Sequence, residues 1–377
     1  MTQLAIPFID LKTQYQNHQT SINSAINNVL NHGQYIMGPE VSELEKQLAD
    51  YIDVKHVLAC SSGTDALVLP LMAKEISTND AIFTTPFTFF ASAESISLVG
   101  GTPVFVDIDP DTFNIDPKSL EFHIDRVVAE GKLNPKGILS VDLFGLASNY
   151  IEINAIAKKH NLFVLEDSAQ SFGADYHGEK ACGLAEIGAT SFYPAKPLGC
   201  YGDGGAVFTN DSDLYETLVS LRVHGQGKAG DKYDNVRIGL NARMDTIQAA
   251  VLLEKLKFYE EEIIQRNRVA SIYNEQLEGL VKTPSVPDGQ GSVWAQYSVQ
   301  SNKRNEIRSA LQDEGIPTAV FYPTPIHLST AYKHMNHVLG DFPISEAISN
   351  EIFSLPMHPY LEEKQIILIT DLIKSVL

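Results

Sequence analysis

Cysteine, positive charge and long apolar runs are all scarce in this chain, and each scarcity removes a class of protein. The three cysteines, Cys60, Cys182 and Cys200, are an odd number at long, unequal gaps. They fit neither a disulfide framework nor a zinc site, and they point to a reducing cytosol. Lys and Arg number 28 against 47 Asp and Glu, a formal net charge of −19, so a broad nucleic-acid-binding face is excluded. A pocket with a few cations and backbone N–H groups can still hold an anionic small molecule. No stretch approaches the roughly 18 uninterrupted apolar residues of a membrane span. The N-terminal MTQLAIPFIDLKTQY has no charged region followed by an apolar one, so no secretory signal is read. The expectation is a cytoplasmic protein with no nucleic-acid and no membrane partner.

What is present is enough apolar residue, 44% of 377, to bury a large core in two domains. From about residue 55, short apolar runs bounded by Gly, Pro or Asp read as buried strands: His56–Cys60, Ala81–Thr85, Pro103–Asp107, Gly137–Val141, Leu162–Glu166, Ala189–Phe192 and Ala206–Thr209. Thr64–Ala73, Pro117–Glu130 and Tyr150–His160, between them, read as helices. This alternation predicts an α/β fold with a mostly parallel sheet covered on both faces. Thr20–Leu30 and Val41–Tyr51 read as earlier helices, and Asp245–Asn274 as one long helical pattern. A different texture follows: strand-like Val293–Gln300, a helix over Lys303–Glu314, extended Ile316–Tyr322 and a last helix near Glu362–Val376. The expected domains are residues 1–254, a large α/β domain with an N-terminal helical segment, and 255–377, a smaller α+β domain. There is no internal repeat, and ligands of such sheets collect beyond the carboxyl ends of the strands.

Three motifs fall there. Ser61-Ser62-Gly63-Thr64 follows the first strand, where the unpaired N–H groups of a starting helix favour a phosphate; an ordinary capped helix reads equally well. Glu166-Asp167-Ser168-Ala169-Gln170 follows a strand that delivers Asp167 to the sheet edge. A carboxylate there can pair with a protonated ring nitrogen of a heteroaromatic cofactor, bind magnesium or cap a helix, and Gln170 could reach a ring hydroxyl. The most informative stretch is Ser191-Phe192-Tyr193-Pro194-Ala195-Lys196-Pro197, followed by Gly202-Asp203-Gly204-Gly205. Prolines and glycines specify a fixed backbone path around one lysine. A desolvated lysine supplies the unprotonated amine that carbonyl chemistry needs, and Ser191 can add a hydroxyl to a phosphate site.

Together, Gly63-Thr64, Asp167-x-x-Gln170 and Ser191-x4-Lys196 with the following Gly-Asp-Gly-Gly resemble the DegT/DnrJ/StrS family of sugar-nucleotide aminotransferases. The likeness runs from Ile6-Pro7-Phe8 to Ser354-Leu355-Pro356-Met357-His358. It implies the aspartate-aminotransferase fold (fold type I) and pyridoxal 5'-phosphate (PLP, aminated as PMP) as cofactor. Lys196 would hold the cofactor covalently and shuttle protons, Asp167 would pair with the ring nitrogen, and Gln170 would contact the ring hydroxyl. Gly63, Thr64 and Ser191 would bind the phosphate, Phe89 would stack on the ring, and Asn241 would reach the phosphate from a neighbouring subunit, making the site a homodimer's. Phe89 read without the family is equally a core residue at a strand end.

The resemblance also implies the substrates: L-glutamate as amino donor and a nucleotide-linked keto sugar as acceptor. The runs around Lys196 and His224-Gly225-Gln226 look most like the branch that aminates C3 of a UDP-linked 2-acetamido-2-deoxy-3-keto-glucuronate for O-antigen and surface polysaccharide. Arg243, Arg237 and His224 are candidate cations for the diphosphate and carboxylate, and Tyr322, His327 and Tyr360 are candidates to line the sugar pocket. That branch often has His before the tyrosine matching Tyr322, where this chain has Phe321. The alternatives are amination at C3 or C4 of another UDP- or dTDP-keto-deoxysugar, a PLP-dependent sugar dehydratase, and a non-catalytic regulator. The dehydratases typically replace the lysine by His, and a regulator has no need of it. A dinucleotide-dependent oxidoreductase is disfavoured because Gly202-x-Gly204-Gly205 leads into a strand, not a helix. No metal site is expected.

Overall fold

In a computed structural model that describes residues 6–227 and 233–377, seven strands form one sheet. They are β1 (His56–Cys60), β2 (Asp80–Thr84), β3 (Thr102–Phe105), β4 (Asn134–Val141), β5 (Phe163–Asp167), β6 (Ile187–Ser191) and β7 (Gly205–Thr209). The spatial order is β1-β7-β6-β5-β4-β2-β3. Only β7 runs against its neighbours, pairing antiparallel with both β1 and β6; the other pairings are parallel. The six parallel strands therefore end at one edge, and β7 begins there. Strands β2, β5 and β7 are buried along their whole length, which is why they read as continuous apolar runs instead of alternating ones.

Helices pack on both faces: α1 (Leu11–His32), α2 (Pro39–Ile52), α3 (Gly63–Ala73), α4 (Ala91–Leu98), α5 (Pro117–Glu130), α6 (Tyr150–His160), α7 (Ser212–Arg222) and α8 (Thr246–Leu256). Local signals set their ends. At α5, the Asp116 side chain accepts from the Lys118 and Ser119 amides, Pro117 opens the helix, and Gly131 closes it at a φ of 62°.

The long helical pattern over Asp245–Asn274 is broken in the structure into α8 and α9 (Tyr259–Leu277). Phe258 leaves the helical path and stacks on His18, ring centroids 3.5 Å apart. Tyr259 turns into the core beneath the sheet, its hydroxyl donating to the Phe172 carbonyl at 2.7 Å. Tertiary packing thus overrides a continuous helical propensity. Farther along α9, Val269, Ala270, Tyr273 and Leu277 join a second core with Ile6 and the C-terminal helix α12 (Glu363–Val376). Between them come α10 (Arg304–Asp313), α11 (Pro343–Glu351) and a two-stranded antiparallel sheet of β8 (Tyr297–Gln300) and β9 (Ile352–Leu355). The stretch expected to be extended, Ile316–Tyr322, makes only an isolated bridge, Ala319 to Ser354. Residues 254 and 255 lie inside α8, so we infer that the two bodies divide at the turn after it.

The reversed strand creates a tight contact. A Cβ on Gly205 would sit 2.3 Å from the Ser62 carbonyl oxygen, so only glycine lets β7 pass under the start of α3. Gly205→Ala is expected to cost about 1–3 kcal/mol, read as a lower denaturant midpoint; an unchanged midpoint would show that the contact is not limiting.

Candidate active site

Strand ends build the site. Beyond β1, Ser62 caps α3 by accepting from the Asp65 amide at 3.1 Å. Gly63 opens the helix so close to Ser191, beyond β6, that a Cβ would meet the serine Cβ at 2.5 Å. Helix amides and the Ser191 hydroxyl thus border one small region, the arrangement that a phosphate needs. Thr64 is partly buried beside it.

Lys196 projects from a chain segment closed on itself. Phe192 N–H bonds the Gly204 carbonyl at 2.7 Å, Cys200 N–H the Phe192 carbonyl at 2.8 Å, and Lys196 N–H the Tyr193 carbonyl at 2.9 Å. Burial pulls the Lys196 amine below the ordinary lysine range, and the charge of Asp167 opposes that fall. Among the described residues, its ammonium has no hydrogen-bond or ion-pair partner, so the amine is free for a covalent bond.

Asp167, at the end of β5, is 5% exposed. Burial pushes its carboxyl up, while the Ser92 hydroxyl, the Lys196 charge and the Ala169 amide pull it back. Ser92 donates to Oδ2 at 2.8 Å and is itself 3.1 Å from the Thr88 hydroxyl. Thr88 lies in the Pro86-Phe87-Thr88-Phe89-Phe90 run around Phe89, but no motif marked Ser92 just beyond it. Gln170 links two distant segments: its Oε1 accepts from the Phe144 amide at 2.8 Å and its Nε2 donates to the Tyr322 hydroxyl at 3.1 Å. Tyr322 also lies edge-on to Phe87 at 6.2 Å. Phe89 is not a core residue: it is 59% exposed, whereas Phe87 is fully buried.

Lys255, another residue without a motif, ties down the lysine segment. It is 1% exposed on α8, donates to the Gly199 carbonyl at 2.7 Å and lies 4.4 Å over the Tyr201 ring. Burial pushes its amine down to about 8.

The remaining expected residues lie elsewhere. Asn241 is exposed; it accepts from Arg243 Nε at 3.0 Å on a segment that bridges the end of β1. His224 and Arg237 are exposed on two facing stretches of chain joined by an isolated Gln226–Asn235 bridge. His327 does not line an open pocket: it is 1% exposed, and its Nε2 sits 3.0 Å from Glu346. Tyr360 donates to Glu262, which also accepts from Gln14 at 2.9 Å. Both are thus occupied in structural contacts. Among the described residues no group of three His, Cys, Asp or Glu is placed to hold a metal, and no helix is long and apolar enough to cross a membrane.

A free, desolvated amine, a buried carboxylate and a helix-and-serine anion cradle at one sheet edge fit pyridoxal phosphate. Comparisons with known proteins agree. The model of the DegT/DnrJ/EryC1/StrS aminotransferase family matches residues 16–374. A UDP-2-acetamido-2-deoxy-3-oxo-D-glucuronate aminotransferase from Pseudomonas aeruginosa is 44% identical over 96% of this chain and 97% of its own. A pleiotropic regulatory protein from Geobacillus stearothermophilus is 40% identical over 96% and 95%. The crystal structure of a DegT DnrJ EryC1 StrS aminotransferase from Brucella abortus superposes with a TM-score of 0.96 at 51% identity, covering 98% of this chain and 99% of that one.

Ser92→Ala removes a donor that favours ionised Asp167. The acid limb of activity is expected to move up by roughly 1–2 pH units, because protonated Asp167 cannot pair with a ring N–H. A pH–rate profile with its acid limb unmoved would sink the assignment.

Proposed function

Since the chain belongs to the DegT/DnrJ/EryC1/StrS aminotransferase family and is a PLP-dependent sugar aminotransferase, we propose that it aminates C3 of a UDP-linked 2-acetamido-2-deoxy-3-keto-glucuronate. L-Glutamate is the donor, and the product serves surface-polysaccharide synthesis in the cytoplasm. The observation that carries the sugar assignment is the 44% identity, across nearly both full chains, to the Pseudomonas aeruginosa relative named for that substrate.

The cofactor, when bound, carries the amino group between donor and acceptor and draws electrons away from the reacting carbon. The chain's own residues do the rest. Lys196 Nζ, whose proton affinity burial lowers, takes a proton from the donor's α-carbon and returns it on the other side. Ionised Asp167, supported by Ser92, holds the ring nitrogen protonated. Gly63, Thr64 and Ser191 hold the phosphate; Gln170 and Tyr322 bound the site from the two bodies, and exposed Phe89 covers the ring. Arg243, Arg237 and His224 supply cations to the diphosphate and carboxylate. They lie on an arm whose Tyr233, Val236 and Ile238 are 84%, 55% and 86% exposed. Those exposed apolar side chains suit a second copy of the chain, with Asn241 completing the neighbour's site in a homodimer.

Two measurements test this reading. Lys196→Ala is expected to lose turnover and to yield no borohydride-fixed cofactor, while still binding it non-covalently; undiminished turnover refutes the lysine's role. A panel of UDP- and dTDP-linked 3-keto and 4-keto sugars, assayed with L-glutamate and mass spectrometry, is expected to favour the UDP 3-keto uronate. Preferential amination of a 4-keto sugar would overturn the substrate.

A further inference from the structure

Behind Asp167, on the opposite side of the same strand, lie two carboxyls that the reaction does not use. Asp142, just after β4, and Glu166, the penultimate residue of β5, are both 0% exposed. Between them stands the Ser168 hydroxyl, 3.1 Å from Asp142 Oδ2 and 2.7 Å from Glu166 Oε1. A hydroxyl has one hydrogen and can donate to only one of these oxygens. Were both carboxyls ionised, the other would face a serine lone pair in a fully buried setting. Neither carboxyl makes an ion pair among the described residues.

The remaining contacts show what the pair holds. Asp142 Oδ1 accepts from the Ser148 amide and the Tyr150 hydroxyl, each at 2.9 Å, and Oδ2 also meets the Ser171 hydroxyl at 3.0 Å. Glu166 accepts from the Cys182 amide at 2.6 Å and the Leu184 amide at 3.0 Å. The Asp142 amide in turn donates to the Asp167 carbonyl at 3.0 Å. Ser168 and Ser171 flank Gln170, so both ends of the turn that carries Asp167 and Gln170 hang on Asp142.

We propose that Asp142 and Glu166 share a single proton across Ser168, and that this singly charged pair is the anchor that aims Asp167 and Gln170 at the cofactor. The two are positioning residues and touch neither substrate nor cofactor. Burial raises both carboxyls, and the charge of Asp142 adds to the rise of Glu166. The titratable groups facing them, Tyr150 and Cys182, are themselves pushed up by burial and bring no positive charge. Carboxyls raised above their unfolded values contribute stability at low pH that is lost as pH rises through the folded value.

Asparagine at 142 distinguishes this arrangement from simple packing. Its Oδ1 would accept from Ser148 and Tyr150, and its Nδ2 would donate to both Ser168 and Ser171, replacing the shared proton by fixed hydrogens. Glutamine at 166 has no such fit, since its NH2 would face the Cys182 or Leu184 N–H. The test uses holoenzyme. Infrared difference spectra should show one protonated-carboxyl band in the wild type at neutral pH that is absent from Asp142→Asn. Between about pH 6 and about pH 9, the wild-type unfolding constant should rise by up to about tenfold per pH unit more than that of the variant. Cofactor affinity should fall roughly tenfold or more in Asp142→Ala and be restored in Asp142→Asn. If Asp142→Asn does not fold, the wild-type band and its loss on raising the pH carry the test alone. No such band in the wild type, or the same band and pH slope in both proteins, overturns the shared proton; equal cofactor loss in Asn and Ala variants overturns the anchoring.

Discussion

The site depends on keeping a lysine amine and an aspartate together where water is scarce. Burial alone favours the neutral form of each, drawing Lys196 down and pushing Asp167 up. Their mutual attraction works the other way, raising the amine and lowering the carboxyl against the effect of burial. That balance requires strands β5 and β6 to be parallel neighbours ending at the same edge, with Asp167 paired to Ala189 in register. It also requires the lysine segment to double back, which the reversed strand β7 achieves by starting where β6 ends, Ser191 opposite Gly205. The closeness of Gly63 to Ser191 and of Gly205 to Ser62 then follows: the anion cradle is the space left when these three turns are pressed together.

Much of this was legible in the sequence because the strands are buried on both faces. A fully buried strand is a short apolar run between turn residues, and β1 was read to its exact bounds; α5 and α6, with their caps, were read equally well. The antiparallel strand was not legible, because an apolar run carries no direction. Short α4, α7 and α11 were not assigned. The mean apolar character of α4, largely Ala and Ser, gives no helical stripe. The break between α8 and α9 was hidden for the opposite reason: Ala, Leu, Glu and Lys continue through it, and only the stacking of Phe258 on His18 ends the helix.

The site divides in the same way. Lys196, Asp167, Gln170, Gly63 and Ser191 converge because each sits at a strand end, and strand ends are visible as the place where an apolar run stops. Ser92 and Lys255 act through a partner distant in sequence: Ser92 meets Asp167 75 positions away, and Lys255 meets Gly199 56 away. Nothing local distinguishes such a serine from a helix residue or such a lysine from a surface one. His327 shows the converse. It was a candidate to line the sugar pocket, yet it is buried beside Glu346 and Phe342, with Nε2 paired to Glu346 and Nδ1 left without a partner among the described residues.

The polar groups around the cofactor face and those behind it differ in what they tolerate. Among the described residues Asp167 receives Ser92 and Ala169, leaving lone pairs open, as a residue that must greet a cofactor should. Asp142, on the far side, meets four polar groups from two segments of chain, one of them the Ser168 hydroxyl that it shares with Glu166. A carboxylate with open lone pairs is mobile and costly to bury; one with every lone pair filled is rigid. Placing the more heavily bonded carboxyl behind the open one, linked through the Asp142 amide and the Asp167 carbonyl, lets the second be reactive without being loose.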